Sequence, residues 1–340
     1  MFSPEQYRAI REGAGLVDRS NRGRIRLTGA DRRAYLQGLL TNDIQALVAG
    51  AGCYACLLTA QGRMIADMYV VETGAETLMD LEPEVTRRVA RHLDQFIFSE
   101  DVAVTEITEK TAQLGIFGPG AAAVVAQVFA GGPSAPSAAA LTALPVLANL
   151  PVHWSDVPVT IVSRDELGGQ GFDLVIDASH REALTHAIVD AGAVEVDPVV
   201  ADVCRIEYGR PVFGRDMTEE TIPLEAGITD RAISLTKGCY VGQEIIIRVL
   251  HRGHGRVARR LVGVALDPGS PMPVEGAAIR SADRDVGAVT SAANSPALDR
   301  PIALGYVHRD FTEPGTAVTV ATEGGAASGV VAELPFVPAV

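Results

Sequence analysis

Hydrophobic and polar positions in the first third of the chain switch between helical and strand-like spacing. Ser3-Pro4-Glu5 opens a helix, with Ser3 as N-cap and Pro4 in the first turn. Arg24-Ile25-Arg26-Leu27 alternates as a strand does. Tyr35, Leu36, Leu39 and Leu40 recur at helical spacing within Asp31 to Leu40. Cys53 to Thr59 and Met64 to Val71 read as two strands joined by a hairpin loop at Ala60-Gln61-Gly62-Arg63. Thr77 to Leu81 reads as a further strand. Glu82-Pro83-Glu84 opens a helix through about Phe96, and Val102 to Ile107 is strand-like again. Helices alternating with antiparallel-looking strands predict an α+β fold.

A comparable order returns after Leu114-Gly115-Ile116-Phe117. A helix is predicted at Ala121 to Phe129 and a loop at 131–137. Strands follow at Val157 to Val162 and Phe172 to Ile176, and helices at His180 to Ala191 and Pro198 to Tyr208. From Arg256 the pattern changes to short alternating strands separated by Gly, Pro, Asp and Ser, as in a small β-barrel. These patterns give a region 1–250, made of two units at roughly 1–110 and 111–250, and a barrel at 251–340. The length of 340 residues fits two or three domains.

Charge narrows the function classes. A net charge of −13 argues against a general nucleic-acid or anionic-membrane binder, while leaving room for a local basic pocket. No apolar run is long enough to span a bilayer, and the first residues do not read as a signal peptide. Four cysteines make no disulfide framework and fit a reducing, cytoplasmic setting.

Several segments carry candidate chemistry. Gly115-Ile116-Phe117-Gly118-Pro119-Gly120 fits neither dinucleotide nor P-loop spacing and reads as a turn into a helix. Cys53 and Cys56 are three apart on a predicted strand, which points their sulfurs to opposite faces. Arg248, Arg252 and Arg256 surround His251-Arg252-Gly253-His254. They suit either a ligand carrying carboxylates or a solvated basic turn. Asp67 stands among apolar strand residues. It is either an outward-facing strand aspartate or a functional carboxylate able to accept from a ring NH and an exocyclic amine.

The most informative run is Lys237-Gly238-Cys239-Tyr240-Val241-Gly242-Gln243-Glu244, with a helix continuing through Leu250. Cys239 is either a buried small hydrophobe or a reactive thiol. In the second reading the Lys237 ammonium and the helix start both favour its thiolate.

This octet resembles the K-G-C-[FY]-x-G-Q-E signature of YgfZ-type folate-binding proteins, relatives of the glycine-cleavage T-protein implicated in iron–sulfur protein maturation. Other segments resemble the superfamily in order: Gly15 to Ser20, Arg24 to Gly29, Tyr35 to Asp43, Leu58 to Asp67, Gly171 to Leu174 and Arg205 to Gly209. The resemblance implies two interleaved ferredoxin-like units around a central folate site, plus a C-terminal barrel. It implies that Asp67 anchors the pterin of a tetrahydrofolate, that Cys239 is the reactive thiol, and that Lys237, Tyr240, Gln243, Arg205 and Arg252 line or rim the site. Iron–sulfur client proteins are the implied partners. The chain departs from T-proteins at Gly169, where they carry a folate-contacting glutamate, and at Ala201, where they carry an arginine. Three functions stay open: a folate-binding iron–sulfur assembly factor, a folate-dependent aminomethyltransferase or demethylase, and a non-catalytic folate-binding scaffold.

Overall fold

A computed structural model describes residues 3–132, 134–251 and 255–340. The strands form a five-stranded sheet, a six-stranded sheet and a closed barrel. The five-stranded sheet is antiparallel, in the order Ala51–Leu58, Met64–Glu72, Thr77–Leu81, Gly23–Thr28, Ala103–Glu106. Met64, Ala66, Met68 and Val70 alternate along their strand and are buried with Leu36, Leu39, Val89 and Leu93 from helices Arg32–Leu39 and Pro83–Asp94. That alternation leaves Asp67 and Tyr69 on the opposite face.

The six-stranded sheet runs Val194–Glu195, Gly15–Asp18, Thr111–Phe117, Gly171–Asp177, Val157–Arg164, Asn149–Trp154. Helices Ala121–Val128, Ala138–Thr142 and Arg181–Asp190 pack on it around Ile116, Phe172 and Leu174. The two units interleave. Gly15–Asp18 comes from the start of the chain yet lies inside the second sheet. Phe213, Met217, Leu224, Ile233 and Tyr240 come from after the second sheet yet complete the core of the first.

The barrel closes in the order Arg259–Leu266, Arg300–His308, Arg284–Ser295, Ala278–Ser281, Ala317–Thr322, Gly325–Ala332. It docks on helix Pro198–Glu207 through Ala293, Ile302 and Leu304. Arg205 donates to Ser291 at 2.9 Å and Tyr7 donates to Glu207 at 2.8 Å across the same region. No helix among the described residues is long and apolar enough to cross a membrane.

Three short strands escape the periodicity reading. Gly15–Asp18 and Val194–Glu195 span too few residues to display alternation. Asn149–Trp154 contains Pro151, which a strand tolerates because this one lies at the sheet edge. The turn at Gly118 behaves as its composition suggests. Its φ is +113°, and a Cβ there would meet the carbonyl oxygens of Ile10 and Gly13 at 2.6 and 2.7 Å.

The sheets face one another across a buried charge network. Arg164 is 2% exposed and binds Asp173 of its own sheet at 2.6 Å, as well as Asp80 of the other sheet. Gln113 donates to Asp80 at 2.9 Å and to Asp173 at 2.8 Å. Burial alone would raise the Asp80 carboxyl, but Arg22, Arg164 and Arg19 outweigh it and hold the group down at about 2. Arg164→Met would leave two buried carboxylates short of their shared cation. It should lower stability by about 3–5 kcal/mol, read as an earlier guanidinium midpoint. A midpoint equal to wild type would show that the network carries no such weight.

Candidate functional site

A cavity of about 950 Å³ opens beside this network. Its walls are the 17–22 turn, strand Met64–Glu72, Glu166 and Leu167, helix Pro198–Glu207 and the 210–215 loop. Its volume is at the upper end of the range of about 300–1,000 Å³ usual for small-molecule sites.

The lining carries Arg19, Arg22, Arg181, Arg205, Arg210 and Arg215 beside Asp18, Asp67, Glu82, Glu166 and Asp202. An acidic protein therefore has a cavity in which cations at least balance anions. Most of these charges are already paired. Arg19 binds Glu166 at 2.6 Å, and Arg22 binds both Asp80 and Glu82. Arg181 binds Asp18, Arg205 and Arg215 both bind Asp202, and Arg210 binds Asp165. Among the described residues, Asp67 is the cavity carboxylate without an ion pair. Its bond is to a neutral group: Tyr54 Oη donates to Asp67 Oδ2 at 2.5 Å.

Asp67 is placed by strand pairing. It sits opposite Cys56, and Tyr69 sits opposite Tyr54, so all four share one face. The Tyr54 and Tyr69 rings lie 5.1 Å apart. The Arg231 guanidinium stands 5.0 Å over Tyr54, and that of Arg164 stands 4.3 Å over Tyr69. Burial raises the Asp67 carboxyl most. The Tyr54 hydrogen bond lowers it, Glu82 raises it and Arg22 lowers it, and the balance sits at about 6. Asp67 can therefore change protonation near neutral pH.

Of the site residues predicted from sequence, Asp67 and Arg205 line the cavity. Arg205 has its guanidinium engaged by Asp202 and Asp216, each at 2.6 Å, and by Ser291, so it braces the wall. Lys237, Cys239, Tyr240 and Gln243 do not line the cavity. Arg252 lies outside the described residues.

The octet packs instead on the 59–62 hairpin turn and on helix Arg32–Leu39. Gly242 has φ +85°, and a Cβ there would meet Thr59 O at 2.5 Å. Tyr240 is buried in the first core. The expected support for a Cys239 thiolate is not what the fold provides. The Lys237 ammonium donates to Gln37 O, Leu40 O and Asn42 O at 2.6, 2.6 and 2.9 Å, serving the C-terminal end of helix Arg32–Leu39. The following helix begins at Gln243, four residues after Cys239, beyond the first-turn reach of its dipole. Cys239 itself is exposed.

Sequence reasoning missed Tyr54, Tyr69, Arg19, Arg22, Arg210 and Glu166. Period-two spacing from Asp67 points to Tyr69, and Arg19 falls in the Gly15 to Ser20 segment. Glu166 is in a turn with no periodic signal. Gly169 also has a physical reason: a Cβ there would meet Val340 Cγ2 and O at 2.9 Å each. The carboxylate nearest in sequence that lines the cavity is Glu166. Ala201 lies on the cavity wall.

Comparison with known proteins assigns the fold to a family. The profile of the GCVT N-terminal domain matches residues 2–237, and that of the glycine cleavage T-protein C-terminal barrel domain matches residues 259–338. The chain belongs to the glycine cleavage T-protein family. An aminomethyltransferase from Thermus thermophilus is 30% identical over 98% of this chain and 90% of its own length. A putative chloroplast transferase of Arabidopsis thaliana is 28% identical over 98% of this chain and 73% of its own. The crystal structure of the glycine cleavage system aminomethyltransferase T from Bartonella henselae superposes with a TM-score of 0.86. It is 23% identical and covers 98% of this chain and 89% of that one. This T-protein family member thus has the family's paired sheets and barrel, with the cavity between helix Pro198–Glu207 and the Asp67 strand.

The cysteines of this family member differ sharply in environment. Burial pushes the thiols of Cys53 and Cys204 up to about 12 and that of Cys56 well above its ordinary value. Site-resolved alkylation of the native protein at pH 8 should modify Cys239 first, the half-buried Cys53 more slowly, and Cys56 and Cys204 only on unfolding. Labelling of Cys204 as fast as Cys239 would contradict the burial described.

Proposed function

We propose that the cavity binds a tetrahydrofolate, with Asp67 as the acceptor for the donors of its pterin ring. The observation that carries this reading is an ion-pair-free carboxylate at the wall of a large cavity whose other acids are neutralised. The residues present fit such a ligand. Asp67 offers an acceptor, Tyr69 offers ring surface beside it, and the arginine-rich walls compensate a ligand's own carboxylates. Tetrahydrofolate, when bound, supplies a carrier of one-carbon units. The chain's own contribution is to hold the ring, exclude water and keep an anion beside it.

The finer reading is a YgfZ-type factor in the assembly or repair of iron–sulfur proteins, working in the cytoplasm. It rests on the octet. Cys239 is exposed and displaced from the cavity, which supports contact with a client protein rather than with the folate. Aminomethyl transfer is the second reading, favoured by the names of the relatives and by an Asp67 that titrates near neutrality. Ala201 and Gly169, in place of an arginine and a glutamate, weigh against it. A reconstituted glycine-cleavage assay should give no turnover approaching about 1 per second, and turnover at that rate would put the second reading first.

Asp67→Asn separates function from stability. It keeps shape but converts one acceptor oxygen into a donor. Affinity for 5-formyltetrahydrofolate, measured by calorimetric titration, should fall by about tenfold to a hundredfold. Unchanged affinity would remove Asp67 from the site. The same change should stabilise the fold at pH 7. A carboxyl whose folded pKa is raised to about 6 costs stability above that pH and nothing below its unfolded value. The gain should be about 1–2 kcal/mol, below the full linkage value because Asp67 is only partly buried, and should vanish towards pH 4.

A further inference from the structure

Among the described residues no cation is bonded to Asp67, yet it must be an anion for both of its oxygens to accept at neutral pH. The groups that face it are few. From the neighbouring strand come Tyr54 and Cys56, and from its own strand Tyr69. Glu82 lies close enough to oppose its ionisation and Arg22 close enough to favour it. Arg22, however, is bonded to both Asp80 and Glu82. That leaves the Tyr54 hydroxyl as the group that bonds the carboxylate directly, at 2.5 Å. Tyr54 is 5% exposed, and its ring has two close neighbours. Tyr69 lies at 5.1 Å, and the Arg231 guanidinium stands 5.0 Å over the ring. Arg231 is in turn 3.8 Å from Asp165, and its backbone carbonyl accepts from Asn42 Nδ2 at 3.0 Å.

We propose that Tyr54, steadied by Arg231, is the positioning residue that keeps Asp67 ionised and aimed into the cavity. A hydroxyl that donates to a carboxylate stabilises the anion and fixes one of its oxygens, leaving the other for a ligand. A cation over the ring makes the phenol a stronger donor and prevents it from swinging away. This deepens the folate reading, but its primary test needs no ligand.

The test follows the Asp67 carboxyl by carbon-13 NMR across pH in wild type, Tyr54→Phe and Arg231→Met. The wild-type midpoint should lie near 6. Tyr54→Phe removes a charge-assisted hydrogen bond, so the midpoint should rise by about one to two pH units. Arg231→Met leaves the hydroxyl in place and should give a smaller rise. If Tyr54→Phe does not fold, the direction of the Arg231→Met shift decides. In a second measurement, Tyr54→Phe should weaken 5-formyltetrahydrofolate at pH 7 by about twofold to tenfold, with recovery by about pH 9 as Asp67 ionises again. A merely structural defect would not recover with pH. An unmoved midpoint in a folded Tyr54→Phe protein overturns the proposal. A moved midpoint with no folate binding in any variant sustains it and defeats the folate reading instead.

Discussion

One guanidinium, that of Arg164, is shared by Asp173 of one sheet and Asp80 of the other, and the cavity exists because this bridge holds the sheets face to face. Burying such charges is expensive, and a hydrophobic interface of the same size would be at least as stable. What the charges add is a fixed pairing. Asp80 meets Arg164, Arg22 and Gln113, and Asp173 meets Arg164 and Gln113, only in one arrangement. The network also decides the chemistry of its neighbour. Arg22 is a cation near Asp67, and it is committed to Asp80 and Glu82. Asp67 is therefore left with a hydroxyl for a bonded partner, a proton affinity near neutral pH and an open acceptor.

This arrangement follows a recurrent pattern in which local stability is given up at a functional group. An isolated carboxylate on an apolar strand costs free energy that an asparagine or an arginine partner would recover. The surrounding fold, with its two cores and interleaved strands, tolerates the cost. The exposed thiol of Cys239 is handled differently. Lys237, Tyr240 and Gly242 anchor its loop to helix Arg32–Leu39 and to the 59–62 hairpin, presenting the cysteine to solvent apart from the cavity. Hairpin 59–62 leads directly into the Asp67 strand, so one β-hairpin carries both features.

Much of the scaffold was legible in the sequence. Met64 to Val71 and Cys53 to Thr59 were readable as the strands of one hairpin, and the structure puts Asp67 and Tyr69 together on the face opposite the buried Met64, Ala66, Met68 and Val70. The change of pattern after residue 250 marked the barrel. What failed did so for physical reasons. Gly15–Asp18 is a strand only because it enters a sheet built mostly from residues a hundred positions later. The octet looked like a thiolate site because Lys237 and a helix flank Cys239 in sequence. In space the ammonium turns to carbonyls of an earlier helix, and the later helix starts too far on. Glu166 and Arg22 meet the neighbours of Asp67 through long-range contacts, which no local pattern records, and Tyr54 lies on the predicted hairpin but its register opposite Tyr69 does not follow from the spacing alone.

The central claim is that Asp67 is the ring anchor of a folate pocket, and crystallography of the protein with 5-formyltetrahydrofolate tests it most directly. Pterin density should lie beside Tyr69, with ring donors at hydrogen-bonding distance, about 3 Å, from the Asp67 carboxylate. Density for the ligand at the Cys239 loop, or a cavity that stays filled with water at saturating ligand, would contradict it.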